Sequence, residues 1–216
     1  MKHFVLTAGF GLLLCACGAA DGMSVGEEGN TASDEQGLVN QWTPFISEEA
    51  PAFTTCGSDN GVAATAARCT GSYCDNMSLF CGTSPFTTTG QPDSLVWTTY
   101  VSEEQPAGVM CPSWGILPRV IDGIAATGSY ADNIAVRCRG AVLGPDVNCG
   151  WTPYFSEEQG IQTFRYNIWS YQTAVAKGVR CSGSYCDNLS FYVCEPKCTS
   201  NSQCFGACVN GVCTVG

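Results

Sequence analysis

Histidine is almost absent from this chain of 216 residues, because the single one is His3. Ser-His-Asp and Cys-His nucleophile systems need an imidazole to accept the proton of the nucleophile near neutral pH. Both systems, and a zinc site ligated by histidine, are therefore excluded if His3 is removed with a leader. Paired carboxylates, as in glycoside hydrolysis, are the acid–base chemistry that remains.

Basic residues are also few. The chain has 9 Lys and Arg against 19 Asp and Glu, which gives a formal net charge of −10 at pH 7. Nucleic-acid binding requires the opposite sign, because Lys and Arg neutralise the phosphate backbone. We therefore expect no nucleic-acid partner.

Long helical periodicity is missing as well. The best helical candidate is GVAATAARC at 61–69, and it is only a couple of turns long. β-Branched and aromatic residues occur instead in short runs such as SLFC, IAVRC and SFYVC, separated by Gly, Pro, Asn and Asp. Such runs are typical of strands, so the sequence predicts an all-β fold.

Residues 1–17 have the layout of an export signal, with a basic start, an apolar run at 4–14 and small residues after it. The apolar run is too short to span a membrane as a mature helix. The string LCAC at 14–17 resembles the bacterial lipobox, which implies that Cys17 is lipidated and becomes the mature N-terminus. Ordinary cleavage near Ala20 is the alternative, and it would give a periplasmic or secreted protein.

Residues 18–41 are mostly Gly, Ala, Ser and acidic residues, with no aromatic residue. Such a segment buries too little apolar surface to offset its ordering entropy, so we expect a flexible acidic tether. Gly18 follows Cys17, so the Asp that retains some lipoproteins in the inner membrane is absent. This favours the outer membrane or the cell surface, with the lipid anchor as the only membrane contact.

A threefold internal repeat follows at residues 42–195. We define unit 1 as 42–96, unit 2 as 97–150 and unit 3 as 151–195; they begin WTPFISEEAP, WTTYVSEEQP and WTPYFSEEQG. Three β units of about 54 residues predict a pseudo-threefold β-prism with one four-stranded sheet per repeat. A β-trefoil is the alternative, although its repeat is usually shorter. We expect the leading tryptophans Trp42, Trp97 and Trp151 to pack at equivalent places in the core.

The repeats also resemble a known family. Three units of this length, each with Trp near its start, a Gly-rich middle, a DN step and a closing strand that bears Cys, are similar to the vitelline membrane outer layer protein I family. The resemblance covers roughly residues 42–195. It implies a β-prism of three Greek-key sheets, a location in an extracellular coat and an association with carbohydrate.

Residues 196–216 hold four cysteines in a short span, with the spacing C-x5-C-x3-C-x4-C. This spacing is similar to that of small knot-like extracellular modules, which need disulfides because they have almost no core. We expect a disulfide-rich C-terminal knob with two bridges, whose connectivity the sequence leaves open.

Cysteine is abundant, with 16 residues in all. Cys15 is lost with the signal and Cys17 is lipidated, so 14 remain, and an even number in an exported chain predicts disulfides rather than a metal site. Unit 2 has Ala126 and Ala131 where the other units have cysteines, and such joint loss is what a bonded pair predicts. Units 1 and 2 also have an upstream and a closing cysteine each, whereas unit 3 lacks the upstream one and has an extra cysteine, Cys149, just before its Trp. The predicted bridges are Cys69–Cys74, Cys181–Cys186, Cys56–Cys81, Cys111–Cys138 and Cys149–Cys194.

The string GSY-x-DN occurs once in every unit, at 71–76, 128–133 and 183–188. A structural role is favoured, because Gly adopts positive φ and Asp and Asn bond their own turn backbone. Tyrosine beside carboxylate and amide groups also suits sugar rings, through ring faces and polar atoms. The candidate ligand-binding residues are Tyr73, Asp75, Asn76, Tyr130, Asp132, Asn133, Tyr185, Asp187 and Asn188.

The string SEE also recurs, and its adjacent carboxylates would lie on opposite faces of a strand, which does not suit two acids that share one substrate. We expect an exposed polar turn, with a calcium or sugar contact as the alternative and catalysis as the least favoured reading. The SEE carboxylates are Glu48 and Glu49, Glu103 and Glu104, and Glu157 and Glu158.

The sequence therefore favours a lipid-anchored surface binding module that recognises a glycan or another cell-envelope polymer, without catalytic residues, cofactor or metal. A structural envelope protein without a small ligand is the first alternative. The second is a carboxylate-dependent glycoside hydrolase, for which Asp93, Asp122 and Asp146 are candidate acids without an evident partner. The identity of the ligand and the oligomeric state stay open.

Overall fold

The structure is a computed structural model, and it describes residues 40–48, 51–57, 59–84, 86–88, 95–104, 108–113, 118–143, 146–165, 174–204 and 207–214. The predicted signal, the lipidation site Cys17 and nearly all of the tether lie outside these residues. The regular elements that the structure describes are β-strands and single turns of 3-10 helix, so the predicted all-β fold is confirmed.

Each unit is built on one long antiparallel hairpin whose two strands are joined by the GSY-x-DN string. The three hairpins are β3 (Val62–Thr70) with β4 (Asn76–Thr83), β8 (Arg119–Thr127) with β9 (Asn133–Val142), and β12 (Val175–Ser182) with β13 (Asn188–Pro196). The three loops are of equal length, and equivalent residues pair directly before and after each loop.

The helical candidate at 61–69 is not a helix, because Val62–Thr70 form strand β3. A β-bulge at Thr65 shifts the register between Ala64 and Ala66. The residues of β3 that enter the main core are therefore Val62, Ala64, Ala67 and Cys69. The three-residue step across the bulge resembles helical spacing, and alanine adds high helix propensity.

Equivalent bulges occur in all three hairpins, at Thr65, Asp122 and Lys177. At each bulge the backbone carbonyl accepts a hydrogen bond from the residue directly after a strand of another unit. The donors are the N–H groups of Cys56 to Asp122 at 2.7 Å, of Cys111 to Lys177 at 2.7 Å, and of Phe164 to Thr65 at 2.9 Å. The bulges are therefore one of the places at which neighbouring units are joined.

Short strands complete each sheet on both sides of its hairpin. The strand that contains the leading Trp pairs with the second hairpin strand of its own sheet: these are β1 (Gln41–Trp42), β6 (Val96–Trp97) and β10 (Asp146–Trp151). The strand that follows the SEE turn crosses to another unit: β2 (Phe53–Thr55) pairs with β8, β7 (Val109–Met110) with β12, and β11 (Ile161–Thr163) with β3. β5 (Thr87–Thr88) also crosses and pairs with β9.

The exchange is cyclic, because unit 1 donates a strand to unit 2, unit 2 to unit 3, and unit 3 back to unit 1. The predicted three sheets are present, and each is centred on the hairpin of one unit while taking a strand from another unit. Two sheets have four strands and the third has five. This closed, pseudo-threefold arrangement of three sheets is the predicted β-prism.

The main core lies between the three sheets. At one level it contains Leu79, Val136 and Phe191, one from each unit, all of them buried. Two disulfides, Cys56–Cys81 and Cys111–Cys138, join a crossing strand to the hairpin of the unit that donates it, and so link sheet to sheet.

Unit 3 replaces the third such disulfide with an aromatic contact. Phe164 takes the place of the upstream cysteine, and its ring lies 4.6 Å from that of Phe191. The register puts Val193 where the other units have their closing cysteine, so Cys194 is displaced by one residue and points to the opposite face. There it bonds Cys149 on β10. All five predicted bridges in the repeats occur in the structure.

The C-terminal module contains a small hairpin of β14 (Ala207–Val209) and β15 (Val212–Thr214). Its described disulfide is Cys198–Cys208, and Cys204 is also disulfide-bonded. The side chain of Cys213 lies outside the described residues. An isolated bridge between Phe86 and Cys204 connects the module to unit 1.

Candidate binding site at the tyrosine cluster

The three GSY-x-DN turns meet at one end of the prism. The ring centroids of Tyr73, Tyr130 and Tyr185 are 5.5 Å, 5.4 Å and 4.9 Å apart, taken pairwise. We call these three residues the tyrosine cluster. Because the rings touch one another around the pseudo-threefold axis, the turns form one composite surface and not three separate sites.

Each tyrosine is held in an unusual backbone conformation. The φ values are 60° for Tyr73, 57° for Tyr130 and 58° for Tyr185, and the next residue in each turn also has positive φ. Two consecutive left-handed residues form a tight hairpin turn of type I′, in which Gly, Asn and Asp are the usual residues. A bulky side chain at positive φ is a rare outlier and costs about 1–2 kcal/mol. The same outlier in three units indicates that the ring at this position has a role.

The Asp and Asn of each string serve their own turn. In unit 1, Nδ2 of Asn76 donates a hydrogen bond of 2.6 Å to Oδ1 of Asp75. The Asp carboxylate lies directly under Gly71, where a Cβ would collide with it, and units 2 and 3 repeat this arrangement. These predicted binding residues are therefore part of the turn, and the tyrosines are the exposed large side chains of the string.

The first glutamate of the SEE string supports the turn of another unit. Oε2 of Glu48 accepts a hydrogen bond from the backbone N–H of Tyr130, and Oε2 of Glu103 accepts one of 2.6 Å from Tyr185. At the turn of unit 1, Oε2 of Glu157 from unit 3 lies 3.9 Å from Sγ of Cys74. No local sequence pattern indicates these partners, because the contact crosses from unit to unit. Glu49 lies outside the described residues, and Glu104 and Glu158 are exposed.

The disulfides in the turns do not produce this geometry. Unit 2 has Ala131 where units 1 and 3 have Cys74 and Cys186, yet Tyr130 has the same φ as its counterparts within a few degrees. The turn therefore follows from Gly, Asp and Asn, whose arrangement is the same in all three units.

The tyrosine cluster presents aromatic surface in an acidic setting. Tyr73, Tyr130 and Tyr185 are 42%, 40% and 38% exposed. Each turn also carries an aspartate, and Glu48 and Glu103 bond the backbone of Tyr130 and Tyr185. None of the basic residues that the structure describes lies in a GSY-x-DN turn or an SEE string: they are Arg68, Arg119, Arg137, Arg139, Arg165, Lys177, Arg180 and Lys197.

A second aromatic surface lies on the outer faces of the sheets, which corrects the expectation that the leading tryptophans are core residues. Trp42 and Trp151 are half-buried and Trp97 is exposed. They point outward because the threonine that follows each of them points inward and bonds the neighbouring strand, as Oγ1 of Thr152 does with the N–H of Phe191 at 3.0 Å.

In units 1 and 3 an arginine lies between the outward Trp and the aromatic residue three positions later. Both arginines come from the first strand of the hairpin. The distances from the guanidinium carbon to the ring centroids are 4.3 Å and 4.4 Å for Arg68 over Trp42 and Phe45, and 4.5 Å and 4.7 Å for Arg180 over Trp151 and Tyr154. These are cation–π contacts on two exposed sheet faces.

The carboxylates considered for hydrolysis have other partners. Asp122 is fully buried and pairs with Arg137 at 3.0 Å and with Arg139 at 2.7 Å. Asp146 pairs with Nζ of Lys177 at 2.6 Å. Asp93 lies outside the described residues. Two clusters with metal-like spacing occur in the described part of the chain, but their cysteines are disulfide-bonded and supply no thiolate.

Comparison with protein-family models, with curated proteins and with solved structures finds no match to this chain. Among the described residues, the structure contains no helix of the length and apolar character needed to cross a membrane. The arguments for function therefore come from the site itself.

Proposed function

We propose that this chain is an exported, lipid-anchored surface protein that binds carbohydrate through the tyrosine cluster, without catalysing a reaction. The observation that carries the proposal is the retention of tyrosine at three left-handed positions where Asn or Gly would be less strained. Backbone strain of this kind is a reason to suspect function. The lipid anchor rests on the LCAC string at 14–17.

The chemistry of the cluster suits a sugar residue. Exposed ring faces pack against the C–H face of a sugar, and carboxylate oxygens accept hydrogen bonds from its hydroxyl groups. Glu48 and Glu103 use Oε2 for the supporting contact, and their Oε1 atoms make no hydrogen bond with any described residue. One sugar residue at the end of a glycan chain fits such a surface better than three independent ligands, because the rings are in contact.

Substitution at Tyr130 tests the proposal. Tyr130→Asn removes one ring but suits left-handed backbone, so we expect the free energy of unfolding to change by less than about 1 kcal/mol. Glycan binding should fall by about tenfold or more, because all three rings belong to one site. The measurement is a glycan array, followed by titration with the best glycan, using the whole chain with Cys17→Ser.

Tyr154→Ala is the matched control, because Tyr154 is also 40% exposed but lies on a sheet face. It should leave glycan binding unchanged. Loss of binding in Tyr154→Ala and not in Tyr130→Asn would move the site to the sheet face and overturn the proposal.

A structural envelope role is the second candidate, and the mutual contact of the three rings favours it. In that case the tyrosines close the end of the core. Tyr130→Asn would then lower the free energy of unfolding by about 2 kcal/mol or more, and the array would show no bound glycan.

A further inference from the structure

Unit 2 differs from the other units on its outer sheet face. Trp97 and Tyr100 stand where units 1 and 3 have the two rings that enclose an arginine, but Ala125 occupies the position of that arginine. We use the term Trp97 face for Phe53, Trp97 and Tyr100. Among the residues that the structure describes, no guanidinium lies over these rings.

The Trp97 face is the most exposed of the three equivalent surfaces. Phe53 is 55% exposed, Tyr100 45% and Trp97 38%. Phe53 pairs with Ala125 across the sheet, and its ring lies edge-on to Trp97 with centroids 5.9 Å apart. The small Ala125 side chain thus leaves aromatic surface uncovered where the other units place a cation.

The basic residue that pairs with Trp97 does not fill this position. Arg137 pairs with Trp97 across the strands, but its Nε donates to Oδ1 of Asp122 at 3.0 Å. Its NH2 group donates to Oδ2 of Asp122 at 3.1 Å and to the carbonyl oxygen of Gly57 at 3.3 Å. These hydrogen bonds hold the guanidinium of Arg137 against Asp122 and Gly57, and its side chain is 12% exposed.

We propose that the Trp97 face is a docking site for an arginine side chain presented by a partner protein. Arg68 and Arg180 show what this arrangement of rings accepts, because both lie over equivalent ring pairs in the same chain. The net charge of −10 also favours a basic partner segment. The proposal is independent of the tyrosine cluster.

Arginine fits this site better than lysine for a physical reason. The guanidinium is planar and weakly hydrated, so it stacks on a ring at a small desolvation cost, whereas an ammonium is strongly hydrated. A neutral sugar would stack on the same rings but would gain nothing from the negative charge of the protein. The site should therefore distinguish arginine from lysine and from uncharged ligands.

The test is a titration of the whole chain carrying Cys17→Ser with a capped pentapeptide that has one central arginine. The readout is the indole N–H resonance of Trp97, assigned with Trp97→Phe, at about 0.15 M salt, where the screening length is ~8 Å. Matched peptides with lysine or with neutral citrulline in place of arginine are the controls. We expect the arginine peptide to bind at least about fivefold more tightly than either control, a factor that corresponds to ~1 kcal/mol.

Two variants connect the response to the proposed site. Phe53→Ile with Ala125→Arg copies the residues at the same positions in the sheet of unit 1, Ile161 and Arg68, so the chain should fill its own site and the peptide response should disappear. Tyr100→Ala changes an exposed side chain, preserves the fold and should weaken the arginine peptide about fivefold.

Three results would overturn the proposal. The first is an equal response to arginine and lysine peptides, since charge alone would then account for binding. The second is a Trp97 shift with a neutral oligosaccharide but not with the arginine peptide, which would identify a sugar site. The third is an unchanged affinity in Tyr100→Ala. Tyr130→Asn should leave the arginine response intact, so failure here and failure of carbohydrate binding are distinguishable.

Discussion

At the scale of single residues, the glycine and the tyrosine of the GSY-x-DN string have different explanations. Backbone geometry accounts for the glycine, whereas the tyrosine is an exposed side chain. Gly128 has φ 81° and ψ 173°, a region that is essentially restricted to glycine. Tyr130, two residues later, has a left-handed conformation that Asn would adopt more easily, yet its ring is 40% exposed at the axis. The turn conformation alone explains the glycine. It does not explain the tyrosine, so we infer that the exposed ring has a role of its own.

Substitution of glycine tests this account of the turn. Gly128→Ala should lower the free energy of unfolding by about 2–3 kcal/mol, because the new Cβ meets Oδ1 of Asp132 in addition to the unfavourable backbone. Gly160→Ala is the control: Gly160 has φ 73°, but no neighbouring atom lies within 4 Å of the place its Cβ would take, so only about 1 kcal/mol is expected. Denaturant unfolding of both variants measures the difference, and equal losses would show that the Asp132 contact is unimportant.

At the scale of strands and hairpins, much of the fold could be predicted from the repeats, because equivalent positions reveal themselves when units are aligned. The joint loss of cysteines at Ala126 and Ala131 identified the short bridges in units 1 and 3. The cyclic exchange of strands was not predictable in this way. A strand of two or three residues is too short for its sequence to show which sheet it joins. Its pairing depends on how the three units close into the prism.

The site was predicted in part for the same reason. The tyrosines were identified as candidates, but their convergence requires the axis that three sheets create together. The hydrogen bond from Tyr130 to Glu48 joins residues of different units, so no local pattern indicates it. The outward position of Trp97 was also missed, since a large aromatic residue at a repeated position ordinarily suggests a core.

The two kinds of disulfide should differ in their contribution to stability. Cys69–Cys74 closes a loop with a separation of 5 residues, whereas Cys56–Cys81 has a separation of 25 and links two sheets. Replacing both cysteines by Ala should cost about 2 kcal/mol for the short bridge and about 3.5 kcal/mol for the long one on a chain-entropy estimate. Denaturant unfolding of the two double variants checks the order.

The single variant Cys69→Ala serves as a control for the short bridge. It should behave worse than the double variant, because the free thiol of Cys74 exchanges with other disulfides in an oxidising compartment. Peptide mapping without reduction would show scrambled products in the single variant only. An equal or larger loss in the short-bridge double variant than in the long-bridge one would contradict the argument.

At the scale of the whole molecule, the three units do not complete their sheets alone. Each takes a strand from another unit, and the tyrosine turns of units 2 and 3 take a supporting glutamate from the preceding unit. The closed set of three sheets leaves fewer unpaired strand edges than three separate hairpins would. It also means that the geometry of the tyrosine cluster depends on all three units being folded.

The anchoring proposal predicts that Cys17→Ser releases the protein from the membrane fraction, because the acylated cysteine would be its only attachment. Fractionation of cells that express the wild type and the variant measures this directly. The wild-type protein should also incorporate a labelled fatty acid. If it does not, ordinary signal cleavage replaces the lipoprotein proposal.

Cyclic exchange predicts that the three units unfold together. A chain that ends after residue 142 keeps the hairpins of units 1 and 2 but loses β11, the third sheet and Phe164, which closes the core against Phe191. We expect it to lack a cooperative unfolding transition, since the exposed core surface is no longer covered.

A chain that ends after Lys197 is the matched control for this truncation. It retains all three hairpins and loses the C-terminal module with its four cysteines together, so no thiol of the repeats is left without its partner. The structure describes an isolated bridge from Phe86 to Cys204 between the module and the prism, and the module adds no strand to the three sheets, so we expect a single transition close to that of the full chain. Thermal unfolding followed by far-ultraviolet circular dichroism and by tryptophan fluorescence measures both truncations. Coincident curves in the control and no transition in the shorter chain are expected, because one core holds the three sheets together. A cooperative transition in the chain that ends after residue 142 would mean that two units fold without the third. The closed prism of three sheets would then not be required for folding.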